Sequence, residues 1–283
     1  MGEIICVQNC SYQYEDGTKA LKNISFSIQK GEKVVFLGGN GSGKSTLFLC
    51  MNGILRPKKG KILLDGKPID YNRKGLLQHR SRVGIVFQEP DNQLFSASVY
   101  QEISFGILNM GIEKEQADAA VTKIMEELEI TPFQMKPVHC LSGGQKKQVA
   151  IADVLVMSPN IILLDEPASA LDLKHTKLVR RFIDRMVEKG MTVFVSTHDM
   201  DYAYEWADKV IIFKNGEQMA LGKPKELFVQ KELIESCNLM QPTVVKLFQS
   251  LCEHGILTGI TEIPKTMEEL EQCLIAEKEK HNE

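Results

Sequence analysis

Apolar residues follow different periods in different parts of the chain. Between residues 3 and 37 they alternate with polar ones in short stretches. Ile4, Ile5 and Val7 begin one candidate strand, and Ile24-Ser25-Phe26-Ser27-Ile28 keeps the two-residue period of a half-buried strand. Asp16-Gly17 is a hairpin signal between them. Short, mostly apolar runs follow, each of a length for a buried strand: Val34–Leu37, a strand near Ile62–Leu64, Val83–Phe87, Ile161–Leu164, Thr192–Ser196 and Val210–Phe213. The last is followed by Asn215-Gly216, which closes a hairpin. From about 89 to 157 the spacing changes to three and four. Ala117, Ala120, Val121, Ile124, Met125 and Leu128 mark one helical face, and Val99, Ile103, Phe105 and Ile107 lie in another helix. Further helices are predicted after residue 46, from Ser142 to about Val156, from Asp172 to about Lys189, and from Pro242 to about Glu253. Thr266-x-x-Glu269 is a capping-box pattern for a final helix. The charged tail Glu277–Glu283 is predicted to be solvated and frayed.

The pattern divides the chain into a sheet domain over 1–222, a helical subdomain inserted at about 89–157, and a small helical appendage over 223–283. Composition narrows the picture. The formal net charge of -3 gives no case for a nucleic-acid surface. The seven cysteines include no C-x-x-C pair. Cys6 and Cys10 read as small apolar strand residues, so a reduced cytosolic setting without a metal cage is expected. The N-terminus lacks a signal peptide's basic region and apolar core. No apolar run reaches the roughly 20 residues of a membrane span. Any membrane role therefore has to pass through a partner.

The candidate chemistry gathers at the ends of the apolar runs. Gly38-Gly39-Asn40-Gly41-Ser42-Gly43-Lys44-Ser45-Thr46 sits between a strand and a helix. That is the context of a phosphate-binding P-loop: glycines aim several backbone N–H groups at one point, and the helix start adds positive dipole. Lys44 reaches terminal phosphates, and the Ser45 hydroxyl suits Mg²⁺. Leu141-Ser142-Gly143-Gly144-Gln145 opens a second helix with a good N-cap and two glycines that leave backbone N–H groups unshielded, a second place for an anion. Asp165 and Glu166 follow four large aliphatics at a strand end. Asp165 suits Mg²⁺, and Glu166 suits a proton acceptor for attacking water. His198 ends another strand. Tyr14 lies in the opening sheet, either stacking on a base or simply occupying a hairpin face.

The P-loop, Gln88, Leu141–Gln145, Ile161–Glu166, Ser169–Asp172 and His198 occur in an order and spacing that resembles the ATP-binding-cassette (ABC) ATPases. The resemblance covers about residues 3–222. Phe87–Phe95, Gln145-Lys146-Lys147, Thr197–Asp208 and Gly222–Glu226 are similar to the energy-coupling-factor group, and within it to cobalt-import ATPases. The resemblance implies an α/β fold: a P-loop NTPase (RecA-like) sheet core, an N-terminal antiparallel β subdomain, an inserted α-helical subdomain and a helical C-terminal appendage. It implies ATP and Mg²⁺ as ligands and a head-to-tail pair with a second ATPase subunit, homo- or heteromeric. Ser142, Gly143, Gly144 and Gln145 of one subunit would meet the γ-phosphate gripped by Lys44 of the other. Tyr14 would stack on adenine. Gln88 would contact Mg²⁺ or attacking water, and His198 the γ-phosphate. Integral membrane coupling and substrate-binding subunits would be further partners, met through Phe95–Leu108 at the cytoplasmic membrane face, and uptake of a transition-metal ion or vitamin would be the work done; the alternative is a soluble ABC ATPase of DNA repair or translation without a membrane partner. Three positions depart from the pattern: Gly39 stands for a proline, Ala168-Ser169 for a threonine-containing pair, and Gln148 for an arginine, which puts one charge-assisted contact in doubt.

Overall fold

The computed structural model describes residues 2–259 and 262–282, the last three of these by backbone alone. Among the described residues, ten strands form two sheets. β1 (Glu3–Gln13), β2 (Lys19–Gln29), β4 (Lys59–Leu64) and β5 (Lys67–Pro68) make an antiparallel sheet in the order β2-β1-β4-β5. β3 (Lys33–Leu37), β6 (Val83–Val86), β7 (Ile161–Asp165), β8 (Thr192–Ser196), β9 (Lys209–Lys214) and β10 (Glu217–Gly222) make a second sheet in the order β10-β9-β3-β8-β7-β6. It is parallel from β9 to β6, and β10 closes it as an antiparallel edge. The hairpin turn there uses Asn215 and Gly216 at φ 50° and 81°, as a tight two-residue turn requires.

The parallel strands of the second sheet are buried on both faces and sort their side chains by the two-residue period. Val34, Phe36, Ile161, Leu163, Phe194, Ile211 and Phe213 face a core shared with the antiparallel sheet and with α1 (Lys44–Asn52). Val35, Leu37, Ile162, Leu164, Val193, Val195, Val210 and Ile212 face the other helices. Phe36 is the hub of the first core, with its ring 4.9 Å from Phe48, 5.0 Å from Phe213, 5.6 Å from Phe194 and 5.9 Å from Phe26. Burying one such ring contributes about 1.5–3 kcal/mol.

α2 (Arg73–Arg80), capped by Asn72 accepting from Gly75 N at 2.7 Å, was not predicted by the apolar pattern. Only its His79 is buried, so it leaves no stripe to read. α3 (Val99–Asn109), α4 (Lys114–Glu127) and α5 (Gly143–Leu155) pack together beside β6, in the stretch read as helical. α6 (Leu173–Glu188) and α7 (Met200–Trp206) flank β7 and β8 in sequence, and α8 (Pro224–Leu227), α9 (Lys231–Ser236), α10 (Thr243–Glu253) and α11 (Met267–Asn282) follow β10. Asp201 on α7 accepts from Thr243 N at 2.5 Å and Thr243 Oγ1 at 2.9 Å, so a carboxylate from α7 satisfies the opening turn of α10.

The expectation of a solvated, frayed tail is wrong at its first residue. α11 continues through Glu277, which is buried and accepts hydrogen bonds from the Thr258 hydroxyl and, at 3.2 Å, from Thr258 N. A helix that packs on the preceding loop leaves no reason to fray there. Glu283 lies outside the described residues.

Candidate active site

Adjacent parallel strands β3, β8, β7 and β6 end side by side, and each carboxyl end carries one of the predicted motifs. Gly38–Thr46 leaves β3, Thr197-His198 leaves β8, Asp165-Glu166 ends β7, and Gln88 lies just past β6. Ligand crevices of parallel sheets open at such ends.

The P-loop holds Gly38, Gly41 and Gly43 at φ 149°, 74° and 107°. A methyl group on Gly38 would lie 2.3 Å from Phe213 O, and one on Gly43 2.6 Å from Ala20 O. Only glycine allows the loop to press so closely on β9 and β2. Gly216 N donates to Ser42 O at 3.0 Å, so the β9–β10 turn braces the loop from outside. Asn40, Gly41 and Ser45 are exposed, while Ser42 and Thr46 are buried. The Ser42 hydroxyl is buried without a hydrogen-bond partner among the described residues. Lys44 is buried and donates to Gly38 O at 2.6 Å and Gly39 O at 3.2 Å. Burial pulls its pKa down, while Glu166 and then Asp165 pull it back up. The lysine and the two acids therefore share one field.

At the end of β7, Asp165 pairs in register with Ser196 of β8. The Ser196 hydroxyl donates to Asp165 Oδ1 and accepts from Glu166 N at 3.0 Å. That single hydroxyl holds both acids, and Glu166 stands in the left-handed conformation at φ 44°. His198 Nε2 stands 3.0 Å from Glu166 Oε1, an electrostatic contact rather than a hydrogen bond. Burial raises the Glu166 carboxyl above its usual range; His198 and then Lys44 oppose the rise. A carboxylate so placed is a better base than a free one.

Gln88 is exposed. Its carbonyl accepts from Lys147 Nζ at 2.7 Å, and that of Phe87 at 3.2 Å. Lys147 is buried in α5, and burial pushes its pKa down to about 8. Gln93 extends the link: its Oε1 accepts from Phe87 N at 3.3 Å, and its Nε2 donates to Ala150 O at 2.8 Å and Asp153 Oδ2 at 3.1 Å. Tyr14 is partly exposed, and its hydroxyl lies 3.0 Å from Thr46 Oγ1, so the ring stands beside the P-loop helix.

Ser142 caps α5 through a full capping box: its hydroxyl accepts from Gln145 N at 3.3 Å, and Gln145 Oε1 accepts from Ser142 N at 3.1 Å. Among the described residues, no hydrogen bond or ion pair joins 142–145 to 38–46. The two predicted anion sites are separate in one chain. Gly143 is exposed, and Gly144 is buried, with the His175 ring against the side where a side chain would stand. Gln148 makes a neutral substitute for the contact in doubt, donating to Leu128 O at 3.2 Å where α4 ends.

Sequence reasoning missed Ser196 and Lys147. Ser196 acts across strands, which no local pattern reveals. Lys147 did leave a signal. Gly144, Lys147, Ile151 and Val154 share one buried helical face, where a lysine needs acceptors.

A parallel sheet with a glycine loop, a lysine and a pair of strand-end acids defines a P-loop nucleoside triphosphatase. More narrowly, the chain belongs to the ABC transporter family and is an ATPase: that family model matches residues 21–169. It is 47% identical over 88% of each chain to an energy-coupling factor transporter ATP-binding protein, EcfA2, of Clostridium perfringens. It is 45% identical to an EcfA protein of Methanocaldococcus jannaschii over 88% of this chain and 89% of that one. Among solved structures, cbiO1 of Clostridium perfringens, described as part of the ABC transporter complex cbiONQ, is 46% identical with a TM-score of 0.73, over 88% of this chain and all of that one. A dimeric post-hydrolysis ATP-binding cassette, MJ0796, bound to ADP and Pi, is 28% identical with a TM-score of 0.72, over 78% and 99%. No helix among the described residues is long and apolar enough to cross a membrane.

Proposed function

We propose that the chain is the ATP-hydrolysing subunit of an energy-coupling-factor type importer, working on the cytoplasmic face of the membrane. The observation that carries this reading is Glu166, held by Ser196 and faced by His198 in the field of Lys44. Gly38, Asn40–Gly43 and Thr46 cradle the phosphates, Lys44 neutralises their terminal charge, and Tyr14 stacks on adenine. Glu166 takes the proton of the attacking water, and His198 and Gln88 hold that water and the γ-phosphate in line.

Ser45, Gln88 and Asp165 offer hydroxyl, amide and carboxylate oxygens, a donor set suited to Mg²⁺. Among the described residues no cluster of His, Cys, Asp or Glu forms a cage of its own, which suits an ion completed by the nucleotide's oxygens. When bound, the ion would neutralise charge developing on the phosphates.

The separation of the two anion sites supports a head-to-tail dimer, in which Ser142–Gln145 of each copy completes the other's site. Phe95 and Phe105 form an edge-to-face pair, ring centroids 5.1 Å apart, and are 67% and 50% exposed, with Leu108 beside them in α3. That apolar patch is the surface we assign to the integral membrane coupling subunit, with a substrate-binding subunit beyond it. The cargo is a transition-metal ion, cobalt by likeness, or a vitamin, chosen by the membrane subunits.

Glu166→Gln is expected to lower turnover by about 10²–10⁴-fold while retaining ATP and trapping a dimer on size-exclusion chromatography. Wild-type turnover in that variant would remove Glu166 from its role. Membrane proteins that co-purify with the chain would identify the cargo.

A further inference from the structure

Gly144 has ordinary helical φ, yet a methyl group built on it would lie 2.2 Å from His175 Cδ2 and 2.7 Å from His175 Nε2. The imidazole therefore rests directly on the backbone at the opening turn of α5. A carboxylate anchors it there. His175 Nδ1 is 2.9 Å from both carboxylate oxygens of Asp172, and His175 N donates to the same carboxylate at 2.8 Å. Nδ1 faces an acceptor, so Nδ1 carries the proton. The carboxylate is held below its usual range by the His175 backbone N–H and then by the ring. Asp172 thus does two jobs: it caps α6 and it fixes the ring that abuts α5.

We propose that His175 is a positioning residue that locks the Ser142–Gln145 turn to the Ala168–Asp172 loop, so that both reach a second copy's nucleotide as one rigid surface. The inference rests on the head-to-tail reading above. Without the ring, α5 could rock against α6, and the phosphate-facing N–H groups would arrive out of line with the loop that follows Glu166. Small misplacements of that kind cost rate rather than affinity. The nucleotide is gripped first by the P-loop of the opposite copy, which His175 does not touch.

Two experiments test it. The first is a cycle on thermal unfolding of the full chain. Gly144→Ala should lower Tm when His175 is present, because the ring blocks the methyl. In a His175→Ala background it should raise Tm, because alanine is the better helix former. Equal shifts in both backgrounds would overturn the contact. The second uses ATPase kinetics and dimerisation. His175→Ala should lower kcat roughly tenfold to a hundredfold with KM for ATP little changed, and His175→Asn, which keeps a donor for Asp172, should recover part of the loss. In a Glu166→Gln background, His175→Ala should weaken the Mg-ATP-dependent dimer. If Glu166→Gln alone forms no dimer, the head-to-tail reading fails and the proposal with it. If it dimerises and the added His175→Ala dimerises as tightly, only the positioning role fails.

Discussion

α1 and α5 both begin with glycines and both present backbone N–H groups, yet they solve the problem of an open helix end in opposite ways. α1 has Gly43 at its N-cap, left-handed, with no side chain accepting from the first turn. Its orphan donors are left for a ligand, and the surrounding loop is clamped by β2, β9 and the β9–β10 turn. α5 begins with Ser142 and a closed capping box, and its first residues, Ser142 and Gly143, are exposed. One end is incomplete without a phosphate and rigid in its frame. The other is self-sufficient in isolation and available to a neighbour. The contrast teaches that an anion-binding helix start can be built for capture or for presentation, and that glycine content alone does not tell which.

Substitutions can break or sharpen this contrast, and the largest effect belongs to α1. Lys44→Ala removes the only side-chain charge in the loop and should cut phosphate release by about 10²–10³-fold; a residual rate near wild type would refute capture at α1. Next comes a matched glycine pair. Gly43→Ala forces a left-handed alanine against Ala20 O and should cost about 1–3 kcal/mol, read from chemical denaturation. Gly143→Ala has nothing within 4 Å of the new methyl and should be close to neutral in the same assay. Equal losses would erase the difference between the two ends.

A third test uses pH, because α5 buries ionisable groups along its body. Burial raises Asp153 to about 7, with the Gln93 bond opposing and Glu102 adding to the rise. Between the unfolded carboxylate value of about 3.9 and about 7, the folded chain holds a proton that the unfolded chain has lost. Stability should therefore fall as pH rises through that window. Asp153→Asn should flatten the fall, with a gain on the order of 1 kcal/mol at pH 8 and little change at pH 4. An unchanged slope would show that the acid is ionised in the fold. The smallest effect is expected for Ser142→Ala, which loses one cap for about 1 kcal/mol and lowers Tm by a few degrees without affecting ATP capture by the same chain.

Much of this arrangement was legible because the motifs sit where short apolar runs end. The run Val34–Leu37 before the glycines, and Ile161–Leu164 before Asp165 and Glu166, identify strand ends without knowledge of sheet order. What stayed hidden depends on contacts between distant segments. Ser196 reads as the last residue of a strand, and only the register with Asp165 gives it a function. His175 reads as a polar residue in the first turn of α6, and only the packing of α6 on α5 brings it to Gly144. Glu277 reads as part of a charged tail, because Thr258, its partner, lies nineteen positions earlier across a loop. Charge patterns predict exposure, and a single buried acceptor defeats them.

The position of β3 has a consequence for how the protein is made. Its two hydrogen-bonded neighbours are β8 and β9, which begin at Thr192 and Lys209. A nascent chain leaving the ribosome carries the glycine loop long before either flanking strand has been translated. The loop's outer brace, Gly216, emerges later still. Truncated products that stop short of it would display the whole nucleotide motif without its outer brace.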